Sequence, residues 1–207
     1  MEHKDHHTRL QKNSSRLTMN STVSYYLLSF VIVSVAFLVT FVISIHLINP
    51  LQQRFFTGQT EYVSLIYLPH GVRVLSAWLL GWKSIPIITL VTLYTHWLVF
   101  GASGFSIMGI AGAMSGITCA TFSFWTLAKF GMDFRISSAK VANWRDVFLA
   151  GCLASVMSSY GVGLAFQHDV VTLAKYFVGD LTGMFVCLFV LMLVFKALRK
   201  NKVRPYT

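Results

Sequence analysis

Residues 24–48 read SYYLLSFVIVSVAFLVTFVISIHLI, 25 residues without a formally charged side chain. At ~1.5 Å per residue a helix of that length spans ~38 Å, enough to cross a hydrocarbon core of ~30 Å. The apolar run is continuous rather than alternating. It therefore differs from the roughly ten-residue, dyad-patterned strands of a membrane barrel and decides for helix.

Outward from this stretch the same reading repeats. Apolar runs at 61–80, 85–100, 105–127, 147–166 and 171–197 are separated by short polar or glycine-bearing segments. The expectation is an all-α integral membrane protein, a bundle of about six transmembrane helices forming one domain over 24–197, between basic tails at 1–23 and 198–207. Asn49-Pro50 is expected to end the first span, since proline cannot continue the hydrogen-bond ladder. Composition agrees: 55% of the 207 residues are hydrophobic and 12% charged, with mean hydropathy +0.63, against roughly 25% charged in soluble domains. The first span is too long for a signal-peptide core and lacks a small-residue cleavage site after it, so it is expected to stay as an anchor.

The formal charge of +10 would suit a phosphate binder, but position argues for topology instead. One side of the alternating spans receives Lys4, Arg9, Lys12 and Arg16 of the N-terminal tail, Lys83, the loop residues Lys129, Arg135, Lys140 and Arg145, and Lys196, Arg199, Lys200, Lys202 and Arg204. The other receives Arg54. By the positive-inside rule both termini face the cytoplasm, and the partner of the chain is the lipid bilayer of a bacterial cytoplasmic membrane rather than nucleic acid. Cys119, Cys152 and Cys187 stand singly in apolar runs, and His46, His70 and His96 lie on different spans without an i, i+4 pair. Neither pattern calls for a metal, a cofactor or a disulfide, and the basic N-terminal cluster His3, His6, His7 is read as a solvated arm. No phosphate loop or nucleophile elbow occurs, so no catalytic residue is assigned.

A charge inside the bilayer costs at least ~2.5–3.5 kcal/mol on insertion scales, which makes Arg73 and Asp180 the candidate site residues. Both spans run inward and place the two at similar depth, so an Arg73–Asp180 ion pair is expected, as a ligand site or as a clamp between the second and sixth spans. Lys175, nearer the outer surface, is expected to snorkel. Pro69-His70-Gly71 removes a backbone donor inside the second span, predicting a helix that is broken or begins late, with Gly179 and Gly183 as its counterpart on the sixth. Gly112 and Gly116, and the series Gly151, Ser155, Ser159, Gly163, form small faces that predict close helix packing.

The segments LPHGVRVLSAWLLG (68–81) and YFVGDLTG (176–183) together resemble bacterial membrane-associated sensor domains of the MASE type. In these a Pro-x-Gly helix precedes an apolar run ending in glycine, and a Gly-Asp-x-x-Gly helix comes last. Tyr67 and Tyr176 stand where that family usually has tryptophan, and the family tends to have about eight spans. The resemblance implies a sensory input module for signal transduction, normally fused to a cyclic-dinucleotide enzyme or a histidine kinase. With ten residues after the last span, the expectation is a stand-alone sensor domain that binds a small ligand or a membrane partner. A transport component, with the charges on a translocation path, and an accessory subunit docked through the small face of the fifth span are the alternatives.

Overall fold

The computed structural model describes residues 2–55, 64–135 and 143–202, with side chains described between 23 and 199. Among these the chain is helical with no strand. Its helices are α1 (Glu2–Ile43), α2 (Asn49–Phe55), α3 (Leu68–Leu80), α4 (Ser84–Phe100), α5 (Ile107–Lys129), α6 (Trp144–Phe166) and α7 (Val170–Lys202). Five helical stretches are long and apolar enough to cross a membrane: Val23–Phe55, Leu68–Phe105, Ile107–Lys129, Trp144–Phe166 and Val170–Arg199. The second of them contains α3 and α4, joined through the single turn Gly81–Lys83.

The polarity of the fold is inverted relative to a water-soluble domain. Val31, Ile32 and Val35 of α1 and Phe185, Phe189 and Leu193 of α7 point outward, while His70, Arg73, Ser76, Ser123, Ser155, Ser158 and Asp180 are buried. Such an apolar exterior is stable against lipid tails and not against water. The chain is a multi-pass helical membrane protein on these grounds.

Side-chain contacts fix how the helices run. Tyr26 of α1 lies beside Lys83, its ring 5.0 Å from the ammonium. Phe37 packs with Val72 of α3, Ile88 and Val91 of α4 and Ile117 of α5. Farther along, Ser44 Oγ accepts from Leu68 N–H at 3.2 Å. So α3 runs antiparallel to α1 and α4 returns parallel to it, a hairpin closed at Gly81, whose φ of +58° with ψ of −133° suits only glycine. The pair α5–α6 is antiparallel and close. Ser123 Oγ donates to Ala150 O across it, and Gly112 faces Phe166 at its other end. Then α7 turns back at Gln167, antiparallel to α6 and parallel to α3, with Met184 seated on Gly151 and Cys187 on Gly71.

Two boundaries differ from expectation. Pro50 does not end the first span: a wide π turn, Ser44–Ile48, precedes it and the helix continues to Phe55. The wider turn takes Asn49 N–H to Ser44 O and leaves room where the proline ring would strike the preceding carbonyl. The helix of α1 extends from Glu2, and the stretch within it that is apolar enough to cross a membrane begins at Val23. The second helix begins only at Leu68 with Pro69 in its first turn, where a missing N–H costs nothing, so Pro69-His70-Gly71 marks a start and not a break. Residues 64–67 lead into it as a bent, non-helical segment, and 61–63 lie outside the described residues.

Candidate functional site

The first turn of α3 is held from two sides. Tyr67 N–H donates to Gly179 O of α7 at 2.8 Å, Thr182 Oγ1 donates to Leu65 O, and Ser44 Oγ takes Leu68 N–H. Gly179 and Gly183, expected as a second broken helix, lie in an unbroken α7. They are glycines because a Cβ at either would strike the carbonyl of Ser64 or Tyr67. The close approach brings Asp180 against the start of α3.

There the site differs from the pairing the sequence suggested. Asp180 Oδ2 stands 3.3 Å from His70 Nδ1, and no carboxylate among the described residues lies within ion-pair distance of Arg73. The reason is register: parallel α3 and α7 set Gly183 beside Tyr67 and Cys187 beside Gly71. By that register the Asp180 backbone lies level with residues 64–65, ahead of the first turn of α3, and its carboxylate meets His70 rather than Arg73 one turn farther on. His70 is fully buried, and its Nε2 lies 3.1 Å from Ser155 Oγ of α6. Ser155 Oγ also lies 3.0 Å from Gly151 O, to which its hydroxyl can donate, and the ring tautomer decides whether His70 donates to or accepts from it. Asp180–His70–Ser155 thus links α7, α3 and α6 across the interior of the bundle.

Arg73 lies one turn after His70, 92% removed from solvent. Its guanidinium stands between the rings of Phe37 at 5.4 Å and Tyr67 at 5.5 Å. A Cβ at Gly116 would come within 2.9 Å of Nη1, so this glycine, read from sequence as a packing position, makes the space the guanidinium occupies. Besides its ring, Tyr67 offers Arg73 its hydroxyl as a hydrogen-bond partner. Three polar atoms of the region are buried without a hydrogen-bond partner: Arg73 Nε, His70 Nδ1, whose approach to Asp180 is poorly aligned, and Ser159 Oγ.

The other small residues are consumed by packing inside the bundle. Gly151 receives Met184, Gly163 receives Leu173, Gly112 receives Phe166, and Ser155 and Ser159 are buried. His96 is engaged elsewhere, 2.9 Å from Gly104 O. Sequence reasoning missed Tyr67 as a site residue and gave Ser155 only a packing role. Tyr67, His70 and Arg73 recur every third residue, which puts them near one face of a helix, and this spacing was the available signal. No family model matches the chain, and neither a curated protein nor a solved structure matches it.

Proposed function

We propose that the chain is a sensor-like membrane domain that binds a small polar ligand at Tyr67, His70, Arg73, Ser155 and Asp180, and passes the bound state to a signalling partner. The observation that carries this reading is a buried guanidinium with no carboxylate partner among the described residues and an unsatisfied Nε. A finished ion clamp would set the membrane carboxylate on the membrane cation, yet Asp180 is spent on His70 while Arg73 keeps an unpartnered Nε among aromatic rings. A buried donor without a partner costs ~1–3 kcal/mol, which a ligand oxygen would offset. Transport gains less support, because α7 is continuous and gives α3 no broken-helix counterpart. Docking of an accessory subunit through the small face of α6 gains none, since that face is buried.

Co-purification in mild detergent tests the reading, with bound small molecules identified by mass spectrometry from wild type and Arg73→Gln. A molecule retained by wild type and lost from a monodisperse R73Q protein is the expected result. If both purify empty and R73Q only melts earlier, the cluster is a structural tie.

We further propose six crossings, with α3 and α4 as separate spans, both termini cytoplasmic, in a bacterial cytoplasmic membrane. The alternation of helix directions supports six, and the basic residues collect at one end of that alternation. At ~1.5 Å per residue the 13 residues of α3 cover only ~20 Å, so its crossing needs the non-helical 64–67 segment as well. Single cysteines at Gln53 and Asp133 in a background lacking the three native ones provide the check. Gln53→Cys should react with an impermeant maleimide from outside intact cells, and Asp133→Cys only after lysis. Equal labelling of the two from outside would overturn the topology.

A further inference from the structure

A cavity of about 380 Å³ opens at the basic end of the bundle, away from the Arg73 cluster. Its walls come from the end of α3, the Gly81–Lys83 turn, the second half of α5 and the start of the apolar part of α1. Trp78, Trp82, Trp125, Tyr25, Lys83 and Arg135 line it. One wall is fixed: Trp78 Nε1 donates to Phe134 O at 2.9 Å, tying the segment after α5 to α3. Among the described residues the indole N–H groups of Trp82 and Trp125 have no protein acceptor, and both rings are more than 40% exposed.

The charges are unequal in availability. Arg135 is forked onto Asp133, with Nε to Oδ1 at 2.8 Å and Nη2 to Oδ2 at 2.6 Å, and this contact holds the Asp133 carboxyl below the usual carboxylate range. Lys83 has no carboxylate among the described residues and rests over the Tyr26 ring at 5.0 Å, and Lys129 likewise stands over Trp125 at 5.5 Å. The result is a net positive mouth with aromatic walls and two free N–H donors. It lies where apolar helix gives way to polar chain, the depth at which tryptophan and tyrosine meet lipid headgroups.

We propose that this cavity seats the headgroup of an anionic phospholipid. Its phosphate pairs with Lys83 and accepts from the indoles, while its acyl chains lie against the exposed apolar surface beside it, which includes Leu79. Charge complementarity favours an anionic over a zwitterionic headgroup, and the apolar surface beside the mouth favours a lipid over a soluble phosphate.

The test is native mass spectrometry of delipidated protein re-exposed to nanodiscs of mixed phosphatidylglycerol and phosphatidylcholine. Wild type should retain phosphatidylglycerol at least about fivefold over phosphatidylcholine, the effect of one lysine near an anionic surface. Lys83→Ala should lose that preference and Lys83→Arg keep it. Lys196→Ala, on exposed α7 surface outside the cavity, should behave as wild type. Equal retention of the two lipids by wild type would overturn the proposal. So would equal losses in K83A and K196A, which mean diffuse attraction, and so would inorganic phosphate stabilising the protein as much as the lipid does.

Discussion

Gly183→Val is expected to prevent α7 from docking on α3 and to abolish recovery of monodisperse protein. The Cβ would fall against the carbonyl oxygen of Tyr67 and within 2.8 Å of Leu68 N. Those neighbours are backbone atoms and cannot rotate away. Overpacking that side chains can absorb costs ~1–3 kcal/mol, and here the loss should lie at or above the upper end of that range. Separation of the helices would also break the Tyr67–Gly179 hydrogen bond and draw Asp180 off His70. Gly161→Ala is the milder comparison, because its new methyl would meet the side chain of Ser115. Fluorescence-detected size exclusion and thermal unfolding in detergent provide the readout. A G183V protein as stable as G161A would refute the close α3–α7 contact.

Loss of His70 should be nearly as severe, through charge rather than bulk. His70→Ala removes the group facing Asp180 and leaves the buried carboxylate without it, and an unsatisfied buried polar group costs ~1–3 kcal/mol, more when it is charged. Asp180→Asn removes the charge itself, so the double variant H70A/D180N should be more stable than H70A alone. That sign is the informative part, since a cavity effect of the missing ring would persist in the double variant. Unfolding midpoints of the four proteins close the cycle. Additive losses would show that His70 and Asp180 do not act on each other.

Much of the architecture follows from local composition. Runs such as 24–48 and 171–197 have no stable state in water and one regular state in lipid, so helix and membrane are legible from single segments. The small residues Gly151 and Gly163 signalled close packing by the same local logic, since a missing side chain can only admit a neighbour. Pro50 and Pro69 were harder. A proline states that a hydrogen bond is missing, but whether the helix ends, widens into a π turn or begins there depends on what surrounds it.

The charges of the site were legible in the sequence, whereas their pairing and the parts of Tyr67 and Ser155 were not. Arg73 and Asp180 stand out in the sequence because each is costly in lipid, and both are buried in the fold. Which side chain faces Asp180 is a matter of the register between α3 and α7. Gly179 and Gly183 set that register by letting the helix backbone meet the 64–68 segment. A shift of one helical turn, ~5.4 Å, exchanges His70 for Arg73 as the carboxylate's neighbour. Depth along a span is written in residue order, and so the sequence by itself determined helices, membrane and the presence of buried charge. Contact across spans depends on rotation and register that no single helix encodes, and only the tertiary structure decided that Asp180 meets His70 and that the guanidinium of Arg73 is left among rings.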